Sequence, residues 1–101
     1  IMKALKHSDL KAWDVAEHLK THESQAAYLQ AALEDAPEDA EFIASVLGDI
    51  ARARSMAKVA EKTKLSRESL YKSLSGDRDP HFSTILEAAH AMGFKFQVVN
   101  I

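Results

Sequence analysis

The sequence has no cysteine, so it can form neither a disulfide framework nor a thiolate metal site. Proline occurs only twice and glycine three times in 101 residues. That scarcity, with frequent alanine and leucine, favours helix. No apolar run approaches the ~18 residues that a membrane-spanning helix needs, and no secretory signal is visible, so a soluble cytoplasmic protein is expected. A Gly-rich phosphate loop, a nucleophile elbow and paired catalytic carboxylates are all missing. No base is positioned beside the serines. The expectation is a protein that is not an enzyme and uses no cofactor. His18 and His22 are four residues apart, but no third ligand accompanies them and the helix is expected to break near Thr21, so solvated histidines are the reading there.

What is present is enough for one folded domain. Hydrophobic residues make up 47% of the chain, and this length commonly folds alone. The net charge of −2 argues by itself against a nucleic-acid binder, but the charge is segregated. Residues 1–50 carry four lysines against ten acidic residues. Residues 52–78 carry eight Lys and Arg against Glu61, Glu68 and Asp77. A basic segment inside an acidic chain is the electrostatic footprint expected for phosphate binding.

That basic segment contains the most informative pattern, residues 55–76. Met56, Val59, Ala60 and Thr63 share one helical face, and Leu70, Ser73 and Leu74 share another. Ser55 and Ser66 suit the N-cap positions of the two helices. Only two or three residues separate the two patterns, which predicts a helix-turn-helix. Arg67, Glu68, Tyr71, Lys72 and Ser75 form the exposed stripe of the second helix. Arginine and lysine donate to guanine edges or phosphates, tyrosine and serine to phosphates, and residues near the helix start reach deepest into the major groove. Lys58, Ser66 and Arg78 complete the expected DNA-binding set, and His81 either touches phosphate or simply enters the next helix.

Around this hairpin the periodicity predicts further helices. Asp14 caps one reaching Lys20, and a second spans Glu23 to Glu34, apolar on nearly all sides. A third has Pro37 in its first turn and a buried stripe of Phe42, Ile43, Val46, Leu47 and Ile50. A last helix buries Phe82, Ile85, Leu86, Ala89 and Met92 and ends at Gly93 as C′. Trp13 reads as a core or interface aromatic. Residues 94–100 alternate Phe94, Phe96 and Val98 against Lys95, Gln97 and Val99. This predicts one β-strand, with the same strand of a second subunit as its partner. The expected fold is all-α with one short C-terminal strand: a single domain 1–101, made of an N-terminal helical segment 1–36, a helix-turn-helix core 37–93 and a strand 94–101.

Residues 55–93 resemble the Cro/cI-type (XRE-like) helix-turn-helix of phage repressors. The likeness lies in Val59–Ala60, Leu65–Ser66, Leu70, Leu74, Gly76, Pro80 and Met92–Gly93. Two positions depart from the pattern. Met56 stands where many such repressors carry a phosphate-contacting glutamine. Lys64 stands where glycine is usual, and there a left-handed conformation would cost about 1 kcal/mol or more. From Asp14 to Val98, the blocks DVAEHL, AAYLQAALED, LGDIARARSM, SRESLYKSLS and FSTILEAAHAMGF resemble the HigA-like probable addiction module antidote proteins. The resemblance implies a lambda-repressor-like bundle and a bacterial antitoxin that neutralises a RelE-fold toxin and represses its own operon. On that reading the partners are double-stranded operator DNA, the toxin and a second copy of the chain. Tyr28, Leu29, Leu33, Glu34, Glu38 and Glu41 would form the toxin surface, unless Tyr28 and Leu33 simply complete the core. Phe94, Phe96 and Val98 would form the dimer ribbon. A stand-alone prophage-type repressor and a helical interaction module that never meets DNA are the alternatives.

Overall fold

The structure, a computed structural model, describes residues 12–76 and 79–101. Arg78 and the side chain of Trp13 lie outside what is described. Among the described residues the chain forms helices α1 (Ala12–His18), α2 (His22–Asp35), α3 (Ala40–Arg54), α4 (Met56–Glu61), α5 (Arg67–Ser73) and α6 (Phe82–Ala91). No described helix is long and apolar enough to cross a membrane.

The helix starts follow from local capping chemistry. Thr21 and Ser24 form a reciprocal capping box at the head of α2: the Ser24 N–H donates to Thr21 Oγ1 at 3.0 Å and the Thr21 N–H donates to Ser24 Oγ at 3.2 Å. His18 and His22 therefore fall on separate helices. The start of α3 lies later than expected. Pro37 and Glu38 form the preceding turn, and the helix begins where the Asp39 carboxylate accepts from the Phe42 N–H at 3.0 Å. Similarly, Asp14 lies inside α1 rather than at its cap, and α1 stops at His18 instead of Lys20.

The core is built on α3. Its stripe of Ile43, Val46, Leu47 and Ile50, widened by Ala44 and Ala51, is buried against α2, α4, α6 and α1. Helix α2 contributes Tyr28, Leu29 and Ala32 to the same cluster. Burial of a Leu- or Ile-sized side chain contributes roughly 1.5–3 kcal/mol, so this contiguous cluster is the main source of cohesion. The stripe of α6 differs from expectation. Ile85, Ala88, Ala89 and Met92 are buried, whereas Phe82 is 68% exposed and Leu86 stands on the same outer flank. Ala88 and Ala89 share the inner face with Ile85 and Met92, whereas Phe82 and Leu86 are turned outward.

Gly93 ends α6 as a left-handed C′ residue (φ +84°). Its N–H donates to the His90 carbonyl at 3.0 Å, and the Phe94 N–H donates to the Ala89 carbonyl at 2.9 Å. This is a Schellman motif with Phe94 as its apolar follower. The expected strand over 94–100 is not formed: the segment runs on without sheet pairing among the described residues. Phe94 and Phe96 are instead half-buried against the helical core, while Val98 is 98% exposed. A strand needs a ladder partner for its backbone groups, and the described part of this chain offers none.

Candidate nucleic-acid interface

The two short helices α4 and α5 are each started by a serine. Ser55 Oγ accepts from the Lys58 N–H at 3.3 Å and Ser66 Oγ accepts from the Ser69 N–H at 3.0 Å. The chain passes from α3 to α4 through Ser55 at φ +103°, the one non-glycine residue with positive φ among those described. Between the helices, Thr63 Oγ1 donates to the Ala60 carbonyl at 2.9 Å and accepts from the Leu65 N–H at 3.0 Å, which closes the turn. Lys64 takes no left-handed conformation. The anticipated strain is therefore absent, and the Lys64 N–H donates to the Glu87 carboxylate of α6 at 2.7 Å.

Helix α4 buries Met56, Val59 and Ala60. Helix α5 is anchored by Leu70 and by Leu74 just after its end, both fully buried. The opposite side of α5 is open. Arg67, Glu68 and Lys72 are exposed, Tyr71 is 53% exposed, and Ser66 and Lys58 flank them at the surface. Glu68 and Lys72 form a loose, solvent-facing pair at 3.7 Å. Such a pair holds little free energy and can be exchanged for another partner. Ser75 is half-buried, and its hydroxyl donates to the Lys72 carbonyl at 2.9 Å. The expected stripe is thus one continuous surface up to Ser75, and it combines a donor-rich head with a cationic tail. His81 is exposed at the N-cap of α6 and makes no side-chain cap bond.

The acidic surface needs a correction. Glu34, Glu38 and Glu41 are exposed and Leu33 is half-buried. Tyr28 and Leu29 are not available: Tyr28 is 3% exposed, and its hydroxyl donates to Asp49 Oδ2 at 2.7 Å. Burial, reinforced by this bond and the Asp49 charge, pushes the phenol well above its ordinary pKa, against an opposing effect of Arg52. These two side chains are core. An apolar contact for a partner cannot come from them.

A second cationic locus escaped the sequence reading. Arg54, at the end of α3, donates through Nε to Gln25 Oε1 at 2.7 Å, and Gln25 is itself only 5% exposed. The guanidinium also contacts His22 and lies 5.6 Å from the Phe94 ring centroid, and Phe94 stacks on His22. Arg54 is 29 or more positions from each of these partners, and the only local signal was a basic residue at a helix end.

Residues 9–100 match the family of probable addiction module antidote proteins. The chain is also 46% identical over 89 residues to a Haemophilus influenzae protein described only as uncharacterized, which covers 88% of this chain and 90% of that protein. No solved structure matches the chain. The chain belongs to the probable addiction module antidote family. Its role is accordingly that of an antitoxin, a regulatory protein, and the family implies a toxin as partner.

Proposed function

We propose that the antitoxin binds double-stranded operator DNA through α4 and α5 as a helix-turn-helix of the Cro/cI type. On this reading it represses its own operon as a homodimer and neutralises a basic toxin of the RelE fold, as HigA-like proteins do. The observation that carries the DNA-binding reading is the two-sidedness of α5. Leu70 and Leu74 plug one side into the core, while Arg67, Glu68, Tyr71 and Lys72 stand open on the other, within the most basic segment of the chain. A helix held this way presents its N-terminal side chains to base edges and its later cations to phosphates. A dimer fits the reading of two half-sites about 34–36 Å apart. The reading is tested by fluorescence anisotropy on duplex DNA from the region upstream of the gene, compared with a scrambled duplex, over a range of salt concentrations. Sequence-selective binding that weakens steeply with salt is the expected result. A helical module that never meets DNA would bind neither duplex.

A further inference from the structure

We infer that the cleft between the ends of α2, α3, α4 and α6 is a binding site for a phosphate group. The cleft is shallow and open to solvent, with a volume of about 510 Å³, and brings together His22, Arg54, Lys62, His90 and Gly93. Four nitrogen-bearing side chains thus arrive from four different helices or their caps, and among the described residues no carboxylate lines the space. In a chain with more acidic than basic residues, such a grouping is not the default outcome of surface composition.

One of its four side chains, Arg54, is fixed from the interior, while His22, Lys62 and His90 are exposed around it. Arg54 is half-buried and positioned by Gln25, whose amide donates to the Leu19 carbonyl at 3.1 Å in the interior. The partners of Arg54 are a neutral amide oxygen, an imidazole nitrogen and an aromatic ring, so its orientation is fixed while its charge is left uncompensated. Because guanidinium only donates, His22 must accept at Nδ1 and carry its proton on Nε2. That proton is a further donor at the cleft. The His22 ring is clamped by stacking on Phe94 at 4.9 Å between centroids. Gly93 leaves it room, since a Cβ there would meet His22 Cε1 at 3.2 Å.

Arg54, Lys62 and His90 stand at or beside the C-terminal ends of α3, α4 and α6. The carbonyl ends of those helices carry partial negative charge, which offsets part of the repulsion between Arg54 and Lys62. Partial charges do not cancel two full cations, and neither Arg54 nor Lys62 is in an ion pair among the described residues. A tetrahedral oxyanion accepts from several directions at once and matches donors converging from several sides. The phosphate could belong to a nucleic-acid backbone or be free in solution.

The experiment titrates the full chain with inorganic phosphate at fixed pH, with ionic strength held constant by chloride. It follows the ring signals of His22 and His90 and the amide of Gly93 by NMR. Saturable shifts at these positions are expected, weakened about tenfold by Arg54→Gln and by Lys62→Gln, the loss of one charge-assisted contact each. Lys62 is exposed, so its variant separates binding from folding, and Lys72→Gln on α5 should leave the titration unchanged. A second arm measures binding to a scrambled duplex. If the phosphate is that of nucleic acid, Lys62→Gln lowers the salt slope by about one. If it is free, duplex binding is unaffected while the phosphate titration stands. Shifts that rise without saturating, or that Lys62→Gln leaves unchanged, would overturn the site. The titration contains no DNA, so its outcome is independent of the operator-binding proposal.

Discussion

Arg67 and Lys72 lie on the same exposed side of α5, yet different contributions are expected from them. Arg67 is the first residue of the helix, where a planar fork can meet a guanine edge. Lys72, nearly a turn and a half later, is a mobile point charge suited to phosphate. Arg67→Ala is expected to cost ~1–3 kcal/mol of operator binding and to relax base preference at one position. Lys72→Ala should weaken binding to every duplex and lower the salt slope by about one. Unchanged affinity in both variants, with helicity intact by circular dichroism, would remove α5 from the interface. A different residue-scale test concerns Tyr28. Its phenol is held protonated in the fold by burial and by Asp49, whereas in the unfolded chain it ionises near the usual ~10. The folded state then binds the extra proton above that pH, so the stabilisation is complete below ~10 and is lost as pH rises past it. Tyr28→Phe should cost about 1 kcal/mol at neutral pH, because the Asp49 bond is lost, and should flatten the alkaline decline in urea unfolding. Parallel alkaline declines in the two proteins would mean that another group titrates.

At the scale of the element, α5 depends on its neighbours. Seven residues are too few to hold a helix in water, so its position is set by the Ser66 cap, by Leu70 and Leu74, and by how closely its end approaches α3. Gly48 makes that approach possible: a Cβ on it would lie 2.3 Å from the Leu74 carbonyl oxygen. Backbone cannot yield as a flexible side chain would. Gly48→Ala is therefore expected to destabilise the fold by about 1–3 kcal/mol and to weaken operator binding beyond what the unfolded fraction explains, since the end of α5 must move. Thermal unfolding and anisotropy on the same sample check both parts, and an unchanged Tm would mean that the contact is looser than described. Much of this element was legible in the sequence. Ser66, Leu70, Leu74 and the Arg67–Lys72 side are set by capping and helical period, which act within one or two turns. What escaped depends on distant partners. Tyr28 sat on a helix read as apolar on nearly all sides, and its partner Asp49 is 21 positions away. Phe82 outranks Ala88 in hydrophobicity, yet the alanine is the one buried. The alternation in 94–100 is real, but alternation cannot supply a strand partner, and burial of Phe94 and Phe96 took its place. Gln25 and Arg54 carry no pattern linking them at all.

For the whole molecule the open question is how two partners and a second copy would share so small a surface. The tail offers one answer. Val98, Val99 and Ile101 are exposed while Phe94 and Phe96 tie the segment to the core, so the free portion is the one left to meet another subunit. Deleting residues 97–101 should yield monomers by light scattering and abolish cooperative operator binding, without loss of helicity. A truncated chain that remains dimeric would shift the interface to the exposed Phe82 and Leu86 of α6. The toxin is expected at the opposite charge pole. Glu34 and Glu38 are exposed around the turn from α2 to α3, where negative charge would steer a basic partner into encounter. With Tyr28 and Leu29 committed to the core, Leu33 is left as the apolar member of that surface. Glu41 belongs to a border zone. Its carbonyl oxygen lies 3.5 Å from where a Cβ on Gly76 would stand, close to the exit of the hairpin proposed to face DNA. Replacing Glu34 and Glu38 together by lysine should therefore lower the toxin association rate by at least tenfold at low salt, with a smaller loss at high salt, and leave operator affinity nearly unchanged. Glu41→Lys should alter both. Stopped-flow association with the toxin, beside anisotropy with the operator, separates the two effects. Full-speed toxin association in the double variant would move the toxin to the tail or the hairpin, where it would compete with DNA rather than share the molecule with it.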